Sequence, residues 1–141
     1  MNSTRLTMAV LALGLLTAGQ AEVRAHGDVT PQPVDTAGIE PIKDGWAKEN
    51  PYRGNETAIK IGSSGYNQNC ARCHGLEVIS GGLAPDLRFL EKGKVGDDWF
   101  MERLRKGAMI NGVTKMPSFE NVISQEAMWA IRSYIESKFE G

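Results

Sequence analysis

Two cysteines three positions apart, followed at once by a histidine, constrain this chain more than anything else in it: Cys70-Ala71-Arg72-Cys73-His74. C-x-x-C-H is the attachment sequence of a c-type haem. Each thiol can form a thioether with a vinyl group of the porphyrin, and the histidine that follows lies against the iron as its proximal ligand. The chain has only these two cysteines, so no thiol is left for a disulfide or a zinc site. A redox dithiol would sit in a βαβ pattern, which is absent here. A zinc site needs more ligands, and the only other histidine is His26. There is no second C-x-x-C-H and no internal repeat, so one haem is expected. In a domain this small, a largely apolar porphyrin supplies much of the core.

Haem of this kind is attached outside the cytoplasm in bacteria, so an export signal is expected. Residues 1–25 fit one: Arg5 gives the positive start, and Met8 to Ala18 form an apolar run too short to span a bilayer. Cleavage is expected after Ala25, where Val23-Arg24-Ala25 fits the small-x-small rule, with Ala21 as the alternative. The destination is then the periplasm. No later segment is apolar enough to cross a membrane, so no stable insertion is expected after cleavage. A net charge of −1 gives no basic domain of the kind nucleic-acid binding wants.

Residues 26–54 hold Pro31, Pro33, Pro41 and Pro51 and little periodicity. They read as an extended arm wrapped on the surface or partly mobile, pinned by Trp46 and Tyr52. Residues 55–141 read as one all-α domain. A first helix starts at Asn55, a good N-cap, and runs towards Cys70 with Ala58, Ile59, Gly62 and Tyr66 at helical spacing. Gly62 makes sense where another helix crosses closely, and Ser63-Ser64-Gly65 weaken the case for an unbroken helix. A loop with Gly75, Gly81, Gly82 and Pro85 follows. A second helix is expected to begin near Asp97 or Asp98, with Trp99, Phe100 and Leu104 as its apolar face and Gly107 as its C-cap. The last helix is capped by Ser124, with Ile123 and Met128 as a hydrophobic staple. Ala127, Ile131, Tyr134 and Ile135 form its buried stripe. No stretch has the period of a useful strand.

The iron needs a second axial ligand, and the candidates are Met109, Met116, Met101, Met128 or no protein group. Met116 stands out because it lies in an irregular stretch stiffened by Pro117. Its thioether is a soft, neutral ligand that favours reduced iron. Met101 and Met128 fall within expected helices and suit core filling. Met109, also outside the helices, is the competitor. A ligating histidine donates its other ring nitrogen to a fixed acceptor, and the carbonyl of Pro85 is placed for that role.

The chain resembles the class I cytochromes c over residues 55–139. Gly62, Tyr66 and Cys70 stand four apart as in that family's first helix. Ile131 and Tyr134 match its last-helix pair, and the Pro85 and Met116-Pro117 loops match as well. The resemblance implies a few helices packed round one haem, with the first and last helices crossing at Gly62. Asn50-Pro51-Tyr52-Arg53-Gly54-Asn55, Gly65 to Glu77 and Ser80 to Arg88 look like the small periplasmic cytochromes that accept electrons from alcohol dehydrogenases carrying pyrroloquinoline quinone (PQQ). That likeness implies a soluble single-electron carrier, not an enzyme. Its donor would be a PQQ-dependent alcohol dehydrogenase, and its acceptor a cytochrome oxidase or another cytochrome. Cys70, Cys73, His74, Met116 and Pro85 would hold the haem. The alternatives are a haem subunit of a larger complex, or a ligand-binding or enzymatic haem domain with an open iron. Residues 88–115 carry seven cations that could form a basic docking rim, but acids are interleaved among them, and an ordinary solvated surface is the better reading.

Overall fold

The computed structural model describes residues 30–141, so the expected signal peptide, its cleavage point and His26 lie outside the described residues. In chain order the elements are α1 (Glu56–Asn69), α2 (Ala71–His74), α3 (Lys94–Lys106), β1 (Ala108–Ile110), β2 (Val113–Met116) and α4 (Gln125–Ser137). Single 3-10 turns stand at Leu76–Val78 and Leu87–Phe89. No helix among the described residues is long and apolar enough to cross a membrane.

Local chemistry sets the helix ends. Asn55 Oδ1 accepts from the Ala58 amide at 3.0 Å and opens α1. Ser124 Oγ accepts from the Ala127 amide at 3.2 Å and opens α4, with Ile123 and Met128 both buried behind it. Gly107 ends α3 at φ 72°. The expected weakness at Ser63-Ser64-Gly65 does not appear, and α1 is one continuous helix.

The reason lies in the α1–α4 crossing. A Cβ on Gly62 would stand 1.9 Å from the Ala130 carbonyl oxygen, so the two backbones touch there. Gly62→Ala is expected to lower stability by about 3 kcal/mol, because no side chain can move aside to relieve the clash. Gly65→Ala meets side-chain carbons of Ile131 and Val34 at 3.1 Å rather than backbone. Its overpacking is offset by the helix propensity of alanine, and it should be near neutral. Urea unfolding of the two haem-loaded variants compares them directly, and equal losses would disprove the tight crossing.

Two expectations about α3 need correction. The helix begins at Lys94 behind Gly93, a turn before Asp97, and Asp97 does not cap it but is fully buried inside it. An acid one turn into a helix reads from sequence as a cap, whereas this one is held by cations distant in the chain. Trp99 is not on the buried face. It is 40% exposed, with the Arg103 guanidinium 5.3 Å above its ring, and Met101 joins Phe100 and Leu104 in the core instead.

The helical class carries one addition, a two-stranded antiparallel ribbon. Its turn residues Asn111 and Gly112 both have positive φ, at 51° and 76°. Two such residues in succession are what a tight two-residue hairpin requires. The strands are too short to show an alternating pattern.

The arm is ordered and lies along α4. Ile42 N donates to Glu126 at 3.0 Å, Ala47 N to Gln125 at 3.1 Å and Asn50 Nδ2 to Ser133 Oγ at 2.9 Å. Tyr52 is buried and its hydroxyl donates to the Glu40 carbonyl, while Trp46 stays largely exposed beneath Arg105. With α1 and α3 on its other sides, α4 is buried all round from Ala127 to Glu136. The sequence stripe therefore marks only its α1-facing side.

Candidate functional site

Cys70 ends α1, its amide donating to the Tyr66 carbonyl at 2.7 Å, and α2 follows as a single turn. Within that turn the amides of Cys73 and His74 both donate to the Cys70 carbonyl, at 3.1 and 2.9 Å. Residues three and four apart share one side of a helical turn, so both thiols and the imidazole are gathered by two hydrogen bonds. Both thiols are free and half-buried. Burial, and then the neighbouring Cys73, push the Cys70 thiol up to about 12.

The chain leaves the turn through a tightly determined corner. Gly75 sits at φ 83°, and a Cβ there would stand 1.8 Å from the Ile79 carbonyl oxygen. Its own carbonyl accepts from the Tyr66 hydroxyl at 2.8 Å. Glu77 and Val78 follow in the left-handed region at φ 56° and 68°, which costs a β-branched residue free energy. Full burial of Val78 and a 2.6 Å pair between Glu77 and Lys138 hold the corner.

His74 Nδ1 lies 2.9 Å from the Pro85 carbonyl oxygen. That contact orients the ring and leaves Nε2 for a metal. The loop presenting Pro85 is bonded to itself: Asp86 accepts from Arg88 N at 3.0 Å and from Ser80 N at 3.3 Å, and Arg88 Nη2 reaches Asp86 at 2.8 Å. The Arg88 guanidinium, chiefly through its hydrogen bonds, holds the Asp86 carboxyl at about 2, well below the usual range.

Met116 comes from a separate segment, the end of β2, half-buried against the core. A Cβ on Gly107 would lie 2.4 Å from its carbonyl oxygen, so the end of α3 fixes its backbone. Met109, on β1, is 69% exposed, while Met101 and Met128 are buried in the core. Four of the five residues singled out from sequence thus stand round one helical turn and its loop, and the fifth, Met116, lies at the end of the ribbon. The sequence reading missed that ribbon, although Asn111-Gly112 is its signal.

Leu76, Ile79 and Leu83, in the loop after His74, are more than half exposed. So are Met109, Ile110 and Val113, in the ribbon leading to Met116. Apolar surface exposed in the two segments that carry or follow His74 and lead to Met116 is what a porphyrin would cover. Among the described residues no group of three or more His, Cys, Asp or Glu could hold a metal ion. The donor set is thiol, imidazole and thioether, which fits haem.

Most of the cations between 88 and 115 are already engaged. Arg88 pairs with Asp86 and Glu140, Lys94 with Asp98, Arg105 with Glu120, and Lys106 with Glu102. This favours the solvated-surface reading.

Residues 57–135 match the family described as "Cytochrome C oxidase, cbb3-type, subunit III". The chain is 52% identical to cytochrome c550 of Pseudomonas aeruginosa over 97% of both chains. It is 36% identical over 86 residues to quinohemoprotein alcohol dehydrogenase ADH-IIG of Pseudomonas putida, covering 60% of this chain and 11% of that enzyme. ADH IIB of the same organism is 34% identical over 80 residues, again 11% of the enzyme. The solved structure of ADHIIG from Pseudomonas putida HK5 superposes with a TM-score of 0.50 at 30% identity, over 71% of this chain and 14% of that one.

Proposed function

The chain belongs to the cytochrome c family, with one covalently bound haem c, and is an electron carrier rather than an enzyme; from that premise we propose the route its electrons take. It is a soluble periplasmic shuttle that accepts single electrons from a PQQ-dependent alcohol dehydrogenase and hands them to a terminal oxidase or another cytochrome. The observation that carries the donor is the match to a short segment of two quinohemoprotein alcohol dehydrogenases. A cytochrome joined to the dehydrogenase and a free-standing one serve the same transfer. The near full-length relative cytochrome c550 supports the free-standing form.

When bound, the haem supplies the one-electron chemistry. Cys70 and Cys73 would hold it by thioether bonds, so it would not dissociate between partners. His74 and Met116 would hold the iron through imidazole and thioether, which would leave no position for oxygen or peroxide. Pro85 accepts the Nδ1 proton of His74, which fixes the ring and raises its basicity. The neutral thioether of Met116 favours the reduced state.

Stopped-flow mixing of the oxidised protein with an alcohol-reduced, PQQ-containing dehydrogenase tests the route. Reduction within the turnover time of the enzyme is expected, and no reduction would rule the donor out. Because the basic side chains are mostly paired, the rate should fall by less than about tenfold as ionic strength rises from 0.01 to 0.15 M. A steeper fall would reinstate a basic docking rim.

A further inference from the structure

Pro85 owes its placement to side chains. Among the described residues, no backbone–backbone hydrogen bond involves residues 80–86. A Cβ on Gly81 or Gly82 would meet nothing within 4 Å, and Leu83 is 77% exposed, so the tip of this loop is not packed against the body. Yet the Pro85 carbonyl oxygen is set 2.9 Å from His74 Nδ1. An acceptor is only as fixed as the chain that carries it.

Ser80 supplies what the backbone does not. Its hydroxyl donates to the Ala84 carbonyl, in the peptide immediately before Pro85, and accepts from the Gly82 amide at 3.0 Å. Its amide donates at 3.3 Å to Oδ2 of Asp86, the residue immediately after Pro85. One residue therefore ties the chain on both sides of the proline. The pyrrolidine ring locks φ of Pro85, so the orientation of the peptide before it carries over to its carbonyl. Asp86 is anchored in turn. Arg88 Nε and Nη2 reach its two oxygens at 3.0 and 2.8 Å, and Arg88 pairs with Glu140, whose amide donates to the Arg88 carbonyl at 3.0 Å. That end of the loop is fastened to the tail beyond α4, and Ser80 closes the loop onto it.

We propose that Ser80 is a positioning residue for the haem: through Ala84 and Asp86 it aims the Pro85 carbonyl at His74 Nδ1 and so strengthens the imidazole as a ligand. With His74 read as the axial ligand, on which this rests, Nε2 is on the iron and the ring proton stays on Nδ1, which donates to Pro85. A well-placed acceptor there makes the imidazole more basic, and a more basic ligand favours the oxidised iron. Loosening the acceptor therefore raises the reduction potential. Ser80 is uncharged, so losing its hydroxyl alters the loop without removing a charge from the haem's surroundings.

Ser80→Ala and Ser80→Thr are compared with the parent, each as the full haem-loaded protein, by reduction potential and by solvent exchange of the His74 Nδ1 proton in the reduced, diamagnetic state. Ser80→Ala should speed that exchange about fivefold to tenfold, the effect of losing roughly one net hydrogen bond, and shift the potential upward. The amide of Ile131, buried in α4, should keep its parent rate, which separates a loosened loop from general destabilisation. Ser80→Thr retains the hydroxyl and should restore both readouts. Unchanged exchange and potential in Ser80→Ala, an equal acceleration at Ile131, or a Ser80→Thr protein no closer to the parent than Ser80→Ala would overturn the proposal and leave Ser80 a structural residue only. His74 ring resonances without the upfield shift that an adjacent porphyrin imposes would instead overturn the ligand reading, and the proposal with it.

Discussion

Met116→Ala lowers the reduction potential of the haem-loaded protein by on the order of a hundred millivolts or more, and removes the weak sulfur-to-iron absorption band of the oxidised form. Axial ligands set haem potentials over a range of about 0.8 V, so loss of one ligand is expected to be among the largest effects a single substitution can have here. The sign follows from chemistry: a soft, neutral thioether stabilises the reduced iron, and its removal favours the oxidised state. The same change opens a position on the iron, so the reduced variant should bind carbon monoxide at neutral pH where the parent does not. Met109→Ala is the control, since that side chain stands 69% exposed on β1. A potential and band that follow Met109, or a parent protein that already binds carbon monoxide, would replace the closed-iron reading with the ligand-binding alternative.

What the sequence alone makes legible follows from the range of each interaction. The haem motif, the Asn55 and Ser124 caps and the Ile123–Met128 staple are local. Each is complete within a few residues, and each was legible. Gly62 was legible because a glycine at a helical core position asks for a close neighbour, and Ala130 is that neighbour. Asp97 was misread because its partners are Arg53 and Arg132, respectively 44 and 35 residues away. From sequence alone, an acid near a helix start looks like a cap. The all-round burial of α4 was hidden for the same reason. The arm that covers its second face has no periodicity of its own and is attached through backbone amides such as those of Ile42 and Ala47. The ribbon delivering Met116 is a different case, since its Asn-Gly turn was visible but strands of three and four residues carry too few positions for a period.

Asp97→Ala should cost about 3–5 kcal/mol of stability, the loss expected when one partner of a buried ion pair is removed. Asp97 and Arg132 are both fully buried, with Asp97 Oδ1 2.9 Å from Arg132 Nε. The other carboxylate oxygen accepts from Arg53 Nη2 at 2.6 Å and from the Asn50 amide at 2.9 Å. Glu136 completes the cluster, 3.1 Å from Arg132 and 3.0 Å from Arg53. One carboxylate therefore joins the arm, α3 and α4, and without it an arginine stays in the interior with only Glu136 to compensate it. Arg53→Ala should cost less, because that side chain is 38% exposed and water can replace it at the rim. The double variant Asp97→Leu with Arg132→Met removes both charges at once and should recover much of the loss, since an apolar pair avoids the desolvation the ions require. Urea midpoints of the four haem-loaded proteins decide it. If Asp97→Ala costs less than about 1 kcal/mol, Glu136 alone suffices for Arg132. The arm would then be held by its amide bonds to α4 rather than by the buried charge.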